Sequence, residues 1–405
     1  LRAIPASLCV KCKGHKMLCG LPACPLMERF RSVLNTTVRL ARSKGEVNGA
    51  TPPSAIVGER NYPRVAILYN VPPYVFGSEA RNYEDPRGWW GKMSLLDIIR
   101  LRSSLVSLTT LENVKDPWRL YEREISLSVV SQTPVSTEAR IEGDLIPSLK
   151  FDGVILPRGP TARANSIRVA ENPKIGKVLE SLINDDVKAS LAVERLYEAG
   201  EDYYKIIQAL SLGLLGSKRR RRMVPTRWAI TAVDQMVSSL LLKEVRSYQV
   251  VNGVSVLYSR YLGNYFHVIL YPSKFRATWI EIWHPMTAWT NETAVVELEE
   301  DFWGEMEYMD GGYIAAKQGI LELLRGMKRQ AGVVIIREIT NEYFASVGNW
   351  HIRETVRRAG KLTEAEDLGR ALDVVQQRLK ALVDLKKLKS LRALLTQQTI
   401  DKFLK

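Results

Sequence analysis

The chain has 405 residues, 46% of them hydrophobic and 25% charged, with a formal net charge of +14. That length is enough for a large core and two or three modules. The composition excludes a disordered chain, and the charge predicts a polyanionic partner held in a salt-dependent way.

No run of about 18 apolar residues predicts a transmembrane helix. The longest apolar run, Ile206 to Leu215, is interrupted by Gln208, Ser211 and Gly213 and reads as a buried helix. The first residues lack the apolar core of an export signal, so the expected location is the cytoplasm, with the nucleoid.

All four cysteines lie in one early segment, Cys9-x2-Cys12-x6-Cys19-x4-Cys24. Two disulfides would suit a secreted mini-domain, but nothing else in the chain looks secreted. Four thiolates fill the tetrahedron of a structural Zn²⁺ with nothing left over, and Gly14 and Gly20 allow the tight turns between them. The alternative metal centre is an iron–sulfur cluster, because Pro25 follows Cys24 as in some ferredoxin-type runs. Pro25–Ala41 has the period of an amphipathic exit helix, which closes a zinc module over 1–41.

Residues 42–55, with Gly45, Gly49, Pro52 and Pro53, read as a linker. Strands are predicted at Arg64–Val71, Ile125–Val130 and Phe151–Leu156. Helices are predicted at Ile175–Asp185, Lys188–Ala199, Asp202–Leu215 and Thr226–Arg246. Together these form a first core domain over 42–247. Val250–Tyr258, Tyr265–Tyr271 and Ala277–Trp283 predict successive antiparallel strands. A helix at Ile314–Gln330 and a strand at Val333–Glu338 complete a β-rich second core domain over 248–350. A helical extension covers 351–396 and leads to a flexible tail, 397–405. The fold class is α+β rather than a regular βαβ alternation.

Gln397, Ile400, Phe403 and Leu404 resemble the peptide that partner proteins dock onto the PCNA sliding clamp. On a single 3₁₀ turn, Ile400, Phe403 and Leu404 would fill one apolar pocket while Gln397 bonds at its rim. Leu404 stands where many such peptides carry a second aromatic, which weakens the anchor without removing it.

Lys218, Arg219, Arg220, Arg221 and Arg222 form a dense cationic loop before a helix start marked by Pro225, a phosphate cradle for a DNA backbone. In that helix, Trp228, Ala232, Val233, Met236, Val237, Leu240 and Leu241 form the expected apolar face. Arg227, Thr231, Asp234 and Ser238 form one polar stripe, either a scaffold ion pair or part of a cleft. Arg158, Arg163 and Asn165 have the loop chemistry of phosphate or nucleotide recognition. Glu281 and His284 form a weak candidate pair of metal ligands.

Four segments are unusual for a generic core: Val57–Pro63, Leu156–Pro160 leading into Ala164–Pro173, Leu215–Asp234 and Leu262–Pro272. With the cysteines and the tail, they resemble the archaeal Nre family of DNA repair proteins over most of the chain. The resemblance implies work in the DNA damage response alongside the clamp and supplies no catalytic assignment. The expected function is a DNA-binding repair factor recruited by PCNA. The alternative is a DNA-processing enzyme, a nuclease or nucleotide-dependent modifier, built on Arg158, Arg163, Asn165, Arg227 and Asp234. An RNA-binding role is the weakest reading, because a clamp peptide has no use on RNA.

Overall fold

The computed structural model describes Cys12 and residues 16–22, 24–41, 45–52, 54–146, 158–285, 287 and 289–403. They fall into two compact units. One comprises Pro25–Val237 with Ser346–Gly348. The other comprises Ser238–Ala345 and Asn349–Lys405, together with the described residues up to Cys24.

The first unit carries a six-stranded mixed sheet. In chain order it contains α1 (Pro25–Ala41), β1 (Glu46–Thr51), β2 (Ala55–Val57), β3 (Arg64–Val71), α2 (Pro86–Trp89), α3 (Leu95–Ser103) and β4 (Val106–Asn113). There follow α4 (Trp118–Glu122), α5 (Ile125–Val130), β5 (Val135–Ile146), β6 (Thr161–Val169), α6 (Lys177–Asn184), α7 (Ala189–Glu198) and α8 (Tyr203–Ser211). The long helix α9 (Thr226–Val245) begins here. The strand order is β1-β5-β6-β4-β3-β2. Among the described strands of this sheet only the β4–β6 pair is parallel. Its close start depends on Gly159, where a Cβ would fall 1.9 Å from the Leu105 carbonyl oxygen.

Three expectations are corrected in this unit. Glu46–Thr51, in the expected linker, is the edge strand β1, paired along its length with β5; its glycine and flanking prolines imitate loop composition. Ile125–Val130 is a helix, not a strand. Five of its six residues are buried, and a short apolar run carries no usable period. Thr161–Val169, read as loop, is a central strand. The expected strand Phe151–Leu156 lies outside the described residues.

The second unit contains β7 (Val254–Tyr261), β8 (Asn264–Tyr271), β9 (Arg276–Trp283), β10 (Ala294–Glu300), α10 (Gly311–Met327), β11 (Gly332–Ile339), α11 (Trp350–Val356), β12 (Gly360–Ala365), α12 (Leu368–Arg378) and α13 (Lys389–Phe403). Its sheet runs β10-β9-β11-β8-β7-β12. β9 does not pair with β8: β11 inserts between them, parallel to β9 and antiparallel to β8. Within the expected helical extension, Gly360–Ala365 instead forms a strand on β7.

Strands β8 and β11 are buried at every position. One face of the sheet packs Val256, Ile269, Ile280 and Ile336 against α12 and α13, through residues such as Leu372, Val375 and Leu391. On the other face Trp279 meets Tyr313 of α10. Apolar burial on both faces is what holds such strands.

Candidate nucleic-acid interface

The basic run after α8 is held by its own arginine. Arg221 is 5% exposed. Its guanidinium donates to the carbonyl oxygens of Gly216 (2.6 Å), Ile183 (2.6 Å), Leu182 (3.2 Å) and Asp185 (2.6 Å). Three of these acceptors belong to the end of α6 or just beyond it, where a helix leaves carbonyls unpaired and carries partial negative charge. The Trp118 ring lies 5.4 Å from the same guanidinium. Burial lowers the Arg221 pKa, and Asp186 and Asp185 oppose that shift. Arginine keeps its proton in such a setting.

The rest of the turn is pinned through its backbone. Lys218 N donates to Asp186 Oδ1 at 2.6 Å, Met223 N to Val114 O at 2.9 Å, and Val224 N to Ser211 O at 2.8 Å. Thr226 Oγ1 accepts from Val57 N at 2.8 Å and lies 2.9 Å from Ser211 Oγ. Inside this frame Lys218, Arg219, Arg220 and Arg222 remain at the surface. Of the five expected cradle residues, then, four are presented outward and Arg221 is the clamp that presents them.

Trp228 departs from its expected place. The buried stripe of α9 is Ala229, Val233, Val237 and Leu241, one position further round the helix, so Trp228 is 59% exposed. A large aromatic therefore stands in the first turn of α9, six residues after Arg222 and next to the exposed Arg227.

The five expected catalytic residues have separate surroundings. Asp234 is fully buried and accepts a hydrogen bond from the Tyr203 hydroxyl, which ties α8 to α9. Arg227 is exposed on the first turn of α9. Arg158 is half-buried on the way into β6. Arg163 and Asn165 are exposed on β6, with Arg163 Nε 3.4 Å from Glu142 Oε2.

Glu281 and His284 do not share a ligand position. Arg337 donates from Nη1 to Glu281 Oε1 at 2.5 Å and from Nε to Asn264 Oδ1 at 2.9 Å, and its Nη2 lies 3.3 Å from His351 Nε2. Burial raises the Glu281 pKa, and Arg337 opposes the rise. His284 Nε2 instead lies 2.7 Å from Glu338 Oε1, which also accepts from Lys380 N and Ala381 N. This charged interior escaped sequence reasoning. Its signal was Arg337-Glu338 standing together inside the apolar run 333–339, one side chain for each face of the sheet.

Of the four expected zinc ligands, Cys12 is buried, Cys19 and Cys24 are half-buried, and Cys9 lies outside the described residues. A tight turn precedes Cys24: Gly20 N donates to Met17 O at 2.9 Å, with both residues at positive φ. Among the described residues no group of three His, Cys, Asp or Glu converges as a metal site. The backbone of 397–403 continues α13. The side chains of Gln397, Ile400 and Phe403, and the whole of Leu404, lie outside the described residues. Among the described residues no helix is long and apolar enough to cross a membrane.

Residues 18–290 match the model for the archaeal Nre N-terminal region, and residues 300–403 the model for the archaeal Nre C-terminal region. The chain belongs to the archaeal Nre family, as its motifs led us to expect. It is similar to a DNA repair protein NreA of Archaeoglobus fulgidus, 33% identical over 96% of this chain and 97% of that one. A DNA repair protein NreA of Haloferax volcanii is 34% identical over 93% and 92%. A DNA repair protein NreB of Archaeoglobus fulgidus is 32% identical over 91% and 92%. No solved structure matches.

Proposed function

We propose that the protein is a DNA repair factor that holds DNA on the turn 218–222 and on Trp228. The observation that carries this reading is the buried Arg221 clamp. It fixes four surface cations at the entrance of a long helix beside an exposed indole. Phosphates are held by cations and helix N-termini, and bases by aromatic faces. The names of the relatives support repair as the setting.

In the same reading, Gln397, Ile400, Phe403 and Leu404 dock on PCNA and bring the protein to the replication clamp. Cys9, Cys12, Cys19 and Cys24 hold a structural zinc that organises the first residues of the chain.

The test is DNA affinity across a salt series. Replacing Arg219 and Arg220 by Ala should weaken binding and lower the slope of log K against log salt by about 0.7–0.9 per arginine. An unchanged slope would remove the turn from the interface. Calorimetric titration against the clamp, with and without residues 397–405, checks the tail, and elemental analysis of the purified protein checks the metal.

A further inference from the structure

The open face of the first sheet holds a second constellation, apart from the basic turn. β1, β5 and β6 lie side by side, and their register sets three cross-strand rows. Asn48 faces Glu138, and Glu138 faces Arg168; Glu46 faces Arg140, and Arg140 faces Ser166; Glu142 faces Arg163. A register shift between Arg140 and Ile141 leaves Asn165 as the extra residue of a bulge on β6. The first two rows line a cleft of about 370 Å³.

Two exposed aromatics lie on a segment bonded to the edge of β1, the strand that carries Glu46 and Asn48. Residues 74 and 75 are fastened to the edge of β1, with Tyr74 N donating to Asn48 O at 2.7 Å and Ala50 N to Val75 O at 2.6 Å. The rings of Tyr74 and Phe76 on this segment are about half exposed.

The three arginines here are exposed. The Arg140–Glu46 pair (3.3 Å) and the Arg163–Glu142 pair (3.4 Å) both lie open to solvent, and among the described residues Arg168 has no carboxylate partner. Exposed pairs of this kind contribute little to stability. An incoming phosphate can therefore replace a carboxylate on either arginine at small cost, and a planar guanidinium takes phosphate through two parallel bonds.

The carboxylates decide between ligands. A surface built to grip only backbone phosphates would be uniformly cationic. Glu46 and Glu138 repel phosphate and accept from N–H donors. A strand with unpaired bases offers both partners in alternation: phosphates for the arginines, and base amino groups for the carboxylates and Asn48. In a duplex those base edges are engaged in pairing or set back in grooves, and the outer surface is phosphate alone. Aromatic rings beside the track suit unstacked bases for the same reason.

We propose that this sheet face, with Arg140, Arg163 and Arg168 as phosphate contacts and Tyr74 and Phe76 as stacking platforms, is a binding track for single-stranded DNA. This deepens the DNA-binding reading above and rests on it, but it uses different residues, so the two can fail separately.

The full-length protein is titrated against a short labelled mixed-sequence oligonucleotide, single-stranded or annealed to its complement, with fluorescence anisotropy as the readout. Arg140→Ala with Arg168→Ala should lower single-strand affinity about tenfold and leave duplex affinity unchanged. Glu46→Gln with Glu138→Gln should raise duplex affinity. Unchanged single-strand affinity in the arginine variant, or an equal loss on both probes, overturns the track while leaving the basic turn standing. Wild-type protein that binds neither probe overturns both readings. Ultraviolet cross-linking of the wild-type complex gives a check free of any folding defect. Base adducts on the peptide holding Tyr74 and Phe76 support the track, and adducts confined to peptides elsewhere reject it.

Discussion

Among the described residues the two six-stranded sheets have one parallel pair each, yet they place their charges oppositely. In the first sheet Arg140, Arg163 and Arg168 stand on an open face with carboxylates in loose reach. In the second, Arg337, Glu281, Glu338 and His267 are buried in a sheet covered on both sides. The comparison separates two uses of one residue type. A charge in water is held weakly and can exchange its partner for a ligand. A buried charge has lost its hydration and must keep the partners it folded with.

The largest effect that would sharpen this contrast is at Arg337. Its guanidinium bonds Glu281 and Asn264, with the rings of Phe266 and Trp283 each 5.9 Å away. Arg337→Ala strands a buried Glu281 carboxylate and should cost about 3–5 kcal/mol. Urea denaturation read by tryptophan fluorescence would measure this, since Trp279 and Trp283 belong to the same sheet. A loss below about 1 kcal/mol would mean that water reaches the site and that the two sheets differ less than their burial indicates.

His267 offers the next test, through pH. It is buried beside Tyr258, and among the described residues its two ring nitrogens have no hydrogen-bond partner. Burial pushes its pKa from 6.5 down to about 4, and Glu338 only partly opposes this. The unfolded chain therefore takes up a proton near pH 6.5, while the folded chain does so only near pH 4. Stability is complete above the unfolded pKa and falls as the pH drops through that window, by about 3 kcal/mol in full. Glu338 acts in the same direction at lower pH. Burial raises its pKa, but hydrogen bonds from His284, Ala381 and Lys380 outweigh that and hold it below the usual range. Replacing His267 by Phe should flatten the stability profile between pH 6.5 and 4. A slope that survives the replacement would assign the acid sensitivity to other groups.

What could be read from the sequence follows the range of the interactions concerned. The helices between 175 and 246 were legible because their period is local and Asp202 caps one of them, accepting from Tyr204 N and Lys205 N. Strand β3 was legible for the same reason. The insertion of β11 between β8 and β9 was not, because strand order is set by contacts distant in the chain. At the candidate interface the cationic run was plain, but the inward turn of Arg221 depends on carbonyls 36–39 residues away. Trp228 was misplaced because a one-position shift in a helical stripe is a rotation of about 100°, and only the packing of Ala229 and Val233 fixes which face turns inward.

Arg221 stands between the two sheets in kind: a buried cation that serves an exposed surface. Arg221→Ala should cost about 2–3 kcal/mol through lost charged hydrogen bonds and should also weaken DNA binding by releasing its neighbours. Arg221→Lys should restore little, because a single ammonium cannot reach acceptors spread around a planar fork. If the lysine variant matched wild type in both thermal stability and affinity, the turn would be held by its backbone contacts alone.

The smallest expected effect on stability is the sharpest test of the open face. Arg140 is 74% exposed and its pair with Glu46 is long. Arg140→Ala should change unfolding free energy by less than about 1 kcal/mol, while single-strand affinity falls. Such a dissociation of stability from binding marks a ligand contact, because a scaffold residue moves both together. If Arg140→Ala instead destabilised the protein as strongly as Arg337→Ala, its charge would be structural. The first sheet would then use its arginines as the second does, with exposure a poor guide to function in this fold.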